Sequence, residues 1–451
     1  MSTILKNPGV ASPTTTSTTE KTIGTELYGL VWRLHFYAGV LIAPILIWAS
    51  LTGIIFVFNP QIEAALYRNL LFVPAQETLR SYNEQLAAVL QEFPAAQIKQ
   101  FAPSFEPGQT SAFTLTPVQA EHGSSGHQHG PSEDITVFVN PHNAAIVGGL
   151  AENDRFKTMV QNLHGNLRLG DNARPVMELG ASWLLVLLLS GAFLWFPRKT
   201  AQLRSAFIPR FKGGSRQMWR DLHSILGVLT GVVILGLVLT GLTWSRFSGD
   251  LYRMTRDALG QNLAIFTPFP SAPSNGRAPI SLNEVDAIAR ANSVTIDYTI
   301  TMPSNSEGSY RVMTDDDSQP RQFRVMAIDQ YDGSIIRNAG WSDAPFLTKL
   351  SLLGIPFHRG ELFGLANQLI CALAASAIIF SVLSGFVMWW KRRPAGKLGV
   401  PKRSRTAPPK LLIALFAVLS IALPTVGVSL IVVLLLDFLV VRRVPALRQA
   451  L

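Results

Sequence analysis

Four long apolar runs govern what this chain can become. They fall near residues 30–58, 179–196, 222–245 and 366–390. Each is long enough, or nearly so, to cross a hydrocarbon core about 30 Å thick at about 1.5 Å per residue. A fifth apolar region, 411–441, is interrupted by Pro424-Thr425-Val426-Gly427. It reads as a hairpin of two short helices, with one long kinked helix as the alternative. The composition, 48% hydrophobic and 15% charged, belongs to a polytopic membrane protein with sizeable water-exposed segments.

Basic residues orient the spans. Residues 197–220 carry seven Lys/Arg and no acid, and 391–410 carry eight and no acid. The two long segments differ: 60–163 has five bases against ten acids, and 246–357 has ten against twelve. The positive-inside rule places the basic loops in the cytoplasm and the long segments outside. The net charge of +10 therefore belongs to topology, and nucleic acid is not an expected partner. No cleavable signal peptide is evident, and residues 1–28 are polar and Ser/Thr-rich, as expected of a disordered segment. Cys371 is the single cysteine, which excludes an intrachain disulfide and c-type haem attachment. A bacterial inner membrane, with both termini cytoplasmic, is the expected location.

Landmarks recur along the chain. His35 and His223 each lie seventeen residues before a Thr-Gly pair, Thr52-Gly53 and Thr240-Gly241, and each has a glycine four residues on, Gly39 and Gly227. His164 and His358 each lie twenty-six residues before a Ser-Gly pair, Ser190-Gly191 and Ser384-Gly385, and thirty-one before Trp195 and Trp389. The exported segments repeat too. Ser81-Tyr82-Asn83-Glu84 and Ser281-Leu282-Asn283-Glu284 are capping boxes that open short amphipathic helices. Alternating runs follow that read as strands: SAFTLTP and DITVFVNP in the first segment, TIDYTITMP, SYRVMT and RQFRVMAID in the second.

The fold class expected is thus a multi-pass α-helical membrane bundle, internally duplicated, with four core spans, a C-terminal hairpin and two small periplasmic α+β lobes. Its divisions begin with a cytoplasmic N-terminus over 1–28, a first span over 29–59 and a first lobe over 60–163. A histidine segment and second span over 164–197, a basic loop over 198–220 and a third span over 221–246 follow. The second lobe covers 247–350, a histidine segment and fourth span 351–391, and a basic loop 392–410. The hairpin over 411–442 and a cytoplasmic tail over 443–451 complete the chain.

Four of the eight histidines occupy repeat-equivalent positions next to the spans. An ionisable residue there is costly and marks a function. His35 and His223 begin outward-running spans, while His164 and His358 precede inward-running ones, giving one pair per leaflet. A bis-histidine b-type haem suits such a pair, because haem iron takes neutral axial imidazoles and an apolar site favours the neutral form. Gly39 and Gly227, one turn from their histidines, leave room for a wide macrocycle. Arg33 and Arg220 on the inner side, and Arg168 and Arg359 on the outer, are candidate partners for haem propionates. The bland readings are polar anchors for the histidines, topology markers for the arginines and helix-packing contacts for the Ser-Gly and Thr-Gly pairs. Two histidines alone make an incomplete zinc site. His122, His127 and His129 form a separate candidate metal tract, with an ordinary solvated loop as the alternative. No nucleotide fingerprint, Ser-His-Asp arrangement or His-Glu-x-x-His is found, so an electron donor is expected from the cytoplasm or, as a quinol, from the lipid.

The blocks LHGNLRLG…SGAFLWFPR and FHRGELFG…SGFVMWWKRR, with WRLHFYAGV and RDLHSILGV, resemble PepSY-associated transmembrane proteins, and the segments between them resemble divergent PepSY domains. The resemblance covers roughly residues 28–395. It implies a relation to inner-membrane ferric-siderophore reductases of the ferrioxamine reductase type, which hold two haems. On it, His35, His223, His164 and His358 fall on the family's histidine positions. The expected function is an oxidoreductase that reduces a periplasmic Fe(III) chelate to release Fe(II). The alternative is a PepSY-type binding or regulatory module, or a haem- or metal-binding scaffold without redox turnover. A transporter accessory fits less well, since the repeats are parallel and the spans lack Gly/Pro-broken pairs.

Overall fold

A computed structural model describes residues 16–117, 133–197, 202–211, 214–263, 269–396, 399, 401, 408–441 and 443. Along the chain run α1 (Thr16–Val57), α2 (Asn59–Leu66), α3 (Arg68–Leu71) and α4 (Tyr82–Glu92), then β1 (Gln97–Ala102), β2 (Ser111–Thr116), β3 (Ile135–Val139) and β4 (Ile146–Ala151). Next come α5 (Phe156–Asn166), α6 (Arg174–Trp195), α7 (Ser215–Leu242), α8 (Phe247–Ala258) and α9 (Leu282–Ala291). The second set of strands is β5 (Tyr298–Thr301), β6 (Ser309–Thr314), β7 (Arg324–Asp329) and β8 (Ile335–Gly340). Helices α10 (Phe346–Arg359), α11 (Leu365–Arg392), α12 (Lys410–Ala422) and α13 (Pro424–Leu436) close the chain.

Four stretches, Glu26–Val57, Asp171–Trp195, Ser215–Leu242 and Leu365–Arg392, are long and apolar enough to cross a membrane. The chain is a multi-pass membrane protein. Residues 16–28, expected to be disordered, belong to α1. Once the apolar run has nucleated a helix, extending it costs little per residue, whatever the polarity of the sequence before it.

The chain divides into two compact units. One comprises Met1–Leu46, Leu179–Gly231 and Phe380–Leu451. Within it α1 and α6 approach closely at Gly180, where a Cβ would lie 2.5 Å from Ile45 Cγ2. The helices α12 and α13 turn at Leu423 and Pro424. Helix α13 docks on α6 through polar bonds: Trp183 Nε1 donates to Ser429 Oγ at 2.9 Å, and Thr425 Oγ1 donates to Ser182 Oγ at 3.1 Å. At 13 residues apiece, or about 20 Å, neither α12 nor α13 spans a bilayer alone.

The other unit comprises Ile47–Glu178 and Val232–Ile379. Its centre is one antiparallel sheet of eight strands in the order β4-β3-β2-β1-β5-β6-β7-β8. The strands of the two segments 60–163 and 246–357 therefore meet edge to edge. They join where Gln100 and Phe101 of β1 pair with Thr301 and Ile300 of β5, and each would-be edge is covered by the other. Helices α4 and α9 begin at capping boxes in which Ser81 pairs with Glu84 and Ser281 with Glu284. The Asn83 N–H donates to Asn283 Oδ1 at 3.2 Å, so the helix starts also touch. Beneath them lies a single core drawn from both segments, including Val89, Phe101, Phe113, Val137, Val285, Ile300, Val312 and Met326. Burying each such side chain contributes about 1.5–3 kcal/mol.

The five strands expected from the sequence are present as β2, β3, β5, β6 and β7. Strands β1, β4 and β8 were not anticipated. Strand β1 is central yet polar on its open face (Gln97, Lys99, Gln100), and β4 contains Gly148-Gly149. Gly148 is set by packing, since a Cβ there would lie 2.6 Å from Leu70 Cδ2.

Candidate functional site

The first unit brings His35 and His223 together. Their ring centroids are 6.3 Å apart, with planes at 87°. Each ring is held by a hydroxyl from another helix. His35 Nδ1 lies 2.9 Å from Ser190 Oγ, and His223 Nδ1 lies 2.9 Å from Ser384 Oγ. The proton of each hydroxyl is committed elsewhere. Ser190 donates to the Val186 carbonyl at 2.7 Å, and Ser384 to that of Ser381 at 3.1 Å. The hydroxyl oxygen thus accepts, the histidine Nδ1–H donates, and Nε2 keeps its lone pair.

The second unit repeats this chemistry with threonines. His164 and His358 have centroids 6.2 Å apart, with planes at 63°. His164 Nδ1 lies 3.0 Å from Thr52 Oγ1, whose own proton goes to the Trp48 carbonyl at 2.8 Å. His358 Nδ1 lies 2.8 Å from the Leu237 carbonyl and 3.3 Å from Thr240 Oγ1. A carbonyl only accepts, so Nδ1 carries the proton here as well. Burial, reinforced by the His358 ring beside it, lowers His164 from 6.5 to about 4, and burial lowers His358 too. Burial thus favours the neutral form of both rings.

The glycines of three of the four Ser-Gly and Thr-Gly pairs lie against a ring, whereas a Cβ on Gly385 would meet nothing within 4 Å. A Cβ on Gly241 would lie 2.8 Å from His358 Cε1, one on Gly191 3.2 Å from His35 Cε1, and one on Gly53 3.4 Å from His164 Cε1. Those three glycines let the ring sit against the helix backbone. Gly39 and Gly227 are different: a Cβ on Gly39 would meet only Leu187 at 4.0 Å, and one on Gly227 nothing within 4 Å.

The backbone after His358 is pinned. Asn367 Nδ2 donates to the Phe357 carbonyl at 3.2 Å, and Gln368 Nε2 to the Val57 carbonyl at 2.8 Å. These two buried amides close the ends of α10 and α1. Helix α10 stops at Gly360, whose φ is 80° and where a Cβ would lie 3.0 Å from Val57 Cβ. Both the left-handed turn and the close approach require glycine.

The family model of the PepSY-associated TM region matches residues 32–392, a stretch that contains all four histidines. The chain belongs to the PepSY-associated TM family. No curated protein of similar sequence was found.

The arginines of this PepSY-associated protein stand in two conditions. Arg220 reaches Asp221 at 3.2 Å, and Arg359 pairs with Glu361 at 2.8 Å and Asp317 at 3.4 Å. Arg33 has a buried Nε with no hydrogen-bond partner, and Arg168 is exposed. His122, His127 and His129 lie outside the described residues. Among the described residues no group of three or more His, Cys, Asp or Glu side chains gathers as a metal site. The residues that sequence reasoning missed are the hydroxyls of Ser190, Ser384, Thr52 and Thr240 as histidine partners. Their fixed spacing from the histidines was visible, but it was read as helix packing.

Proposed function

We propose that this chain is an electron-transfer protein of the bacterial inner membrane that holds one b-type haem at each histidine pair and reduces a ferric chelate of the siderophore type on the outer side. The observation that carries the reading is the pairing: two rings about 6 Å apart, twice, each with Nδ1 tied and Nε2 free. Two imidazoles that would share one ion through bonds of about 2 Å would have centroids roughly 6 Å apart. With only two protein ligands, the remaining positions must be filled from elsewhere, which suits a macrocycle. The open space at Gly227 and the unpartnered Arg33 Nε agree with a bulky anionic group on that side.

A bound haem supplies a reversible one-electron carrier at each pair. Everything else is done by the chain's own side chains. His35 with His223, and His164 with His358, present neutral imidazoles; Ser190, Ser384, Thr52 and Thr240 fix which nitrogen is free. Arg33 and Arg168 are the arginines best placed to meet propionates, because Arg220 and Arg359 already have acidic partners. By the positive-inside reading, His35 and His223 face the cytoplasmic side, where a quinol or a cytoplasmic reductant delivers electrons. The repeated landmarks support reading the two halves as copies of one unit, with periplasmic PepSY-like lobes as the surface against which the chelate docks. No acid–base residue is assigned. One electron converts chelated Fe(III) to Fe(II), and the softer ion is held less tightly by hard oxygen donors.

The test is stopped-flow reoxidation of the dithionite-reduced protein by a ferric hydroxamate chelate in the absence of oxygen. Rapid reoxidation, with Fe(II) trapped by a ferrous indicator, is expected. A reduced protein that stays reduced would leave a binding scaffold as the better reading.

A further inference from the structure

Helix α8 begins five residues after α7 ends and carries three distinct faces. Ser248, Gly249, Tyr252 and Arg256 turn toward the protein, while Asp250, Arg253 and Asp257 form a charged, exposed face. Phe247, Leu251, Met254 and Ala258 fall at intervals of four, three and four residues, on one narrow stripe. That stripe is also exposed: Phe247 is 46%, Leu251 40% and Met254 69% accessible.

The helix is held firmly despite this. The buried Glu178 carboxylate of α6 accepts from the Phe247 N–H at 2.8 Å, the Ser248 N–H at 2.9 Å and the Ser248 hydroxyl at 2.7 Å, closing the N-terminus. One turn on, the Tyr252 hydroxyl donates to the Leu347 carbonyl at 2.9 Å, with Ser351 Oγ 2.8 Å away. Both partners belong to α10, which adds exposed Phe346 and Leu350. A fixed apolar stripe open to water is costly and marks a contact surface.

We propose that α8 is an interfacial helix whose apolar stripe lies among the acyl chains of the leaflet on the lobe side, with Asp250, Arg253 and Asp257 in the headgroup layer. Continuity names the occupant. The stripe follows directly in the chain on the membrane-crossing helix α7, which ends at Leu242 and has exposed apolar Val232 and Leu239 on one face, with exposed Trp244 between the two helices, and aromatic rings favour that depth. An amphipathic helix seated in this way buries its apolar face about 5–10 Å into the boundary. Through Tyr252 it also seats α10, the helix of His358, at a depth set by the lipid. The inference holds whether or not the histidines carry haem.

The test places a nitroxide at Met254→Cys or at Arg253→Cys, each in a Cys371→Ser background, in phosphatidylcholine/phosphatidylglycerol vesicles. Both positions are exposed, so the label needs no repacking. Collision with lipid-soluble oxygen and with a water-soluble nickel chelate is then measured. The expected result is an oxygen-to-nickel ratio several-fold higher at 254 than at 253. Equal ratios at the two sites would overturn the proposal. So would a 254 label shielded from both reagents and broadened by a second spin, which would give the stripe to another copy of the chain.

Discussion

Each Nδ1 in the two histidine pairs meets an oxygen whose own hydrogen-bonding is already decided, and this is what leaves Nε2 available. In Ser190 and Thr52 the hydroxyl proton goes to the carbonyl four residues back, at 2.7 and 2.8 Å, a bond helical serines and threonines readily make. Replacing the hydroxyl removes the acceptor and leaves a buried N–H unpaired. Ser190→Ala or Thr52→Ala is expected to weaken haem retention at its own pair about 10- to 100-fold, with Ser190→Thr restoring it. Haem dissociation rates, with the midpoint potential of each centre, check this. An unchanged rate and potential would make the hydroxyls mere packing. The histidines were legible in the sequence because a polar residue beside an apolar run stands out. Their hydroxyl partners were legible only as landmarks, because spacing along a helix fixes phase but does not say which neighbouring side chain comes to lie opposite.

Among the elements, α4 and α9 show how local rules survive in a membrane protein. Glu84 and Glu284 sit below the usual carboxylate range because the N–H and hydroxyl of Ser81 and Ser281 bond to them. A carboxylate held low contributes stability that is present above its ordinary value near 4.5 and is lost as pH falls through the lower folded value. The double variant Glu84→Ala/Glu284→Ala is therefore expected to unfold at lower temperature at pH 7. Its unfolding temperature should also fall less than that of the parent on acidification below pH 4.5. Parallel curves for parent and variant would contradict the assignment. The capping boxes were readable because their four-residue signature is local. Strands β1 and β8 were not, because each shows polar residues on an open face and is fixed by partners far along the chain. Helix α8 escaped for a related reason: its four apolar residues are spread through a charged segment and form no run.

Across the whole molecule, the sheet is shared where two separate lobes were expected. The β1–β5 pairing and the common core make both segments one cooperative body. Phe101 lies fully buried beside Phe113, with ring centroids 4.5 Å apart. Phe101→Ala is expected to cost about 3–5 kcal/mol. Amide hydrogen exchange should speed up in β2 and β3 and, to a similar degree, in β6 and β7. Loosening confined to the first segment would show that the two fold independently. The partnership was hidden in the sequence because pairing between distant strands leaves no local pattern; only the similar order of elements in the two segments hinted at it.

The central claim, that the two histidine pairs are haem sites, is open to one direct measurement. The full-length protein is purified in detergent from haem-replete cells. Oxidised and dithionite-reduced absorption spectra are recorded, and haem per chain is counted as the pyridine haemochrome. Two b-type haems per chain are expected, falling to one in His164→Ala or His358→Ala with the His35/His223 site retained. A folded protein that carries no haem would contradict the account and return the four histidines to packing.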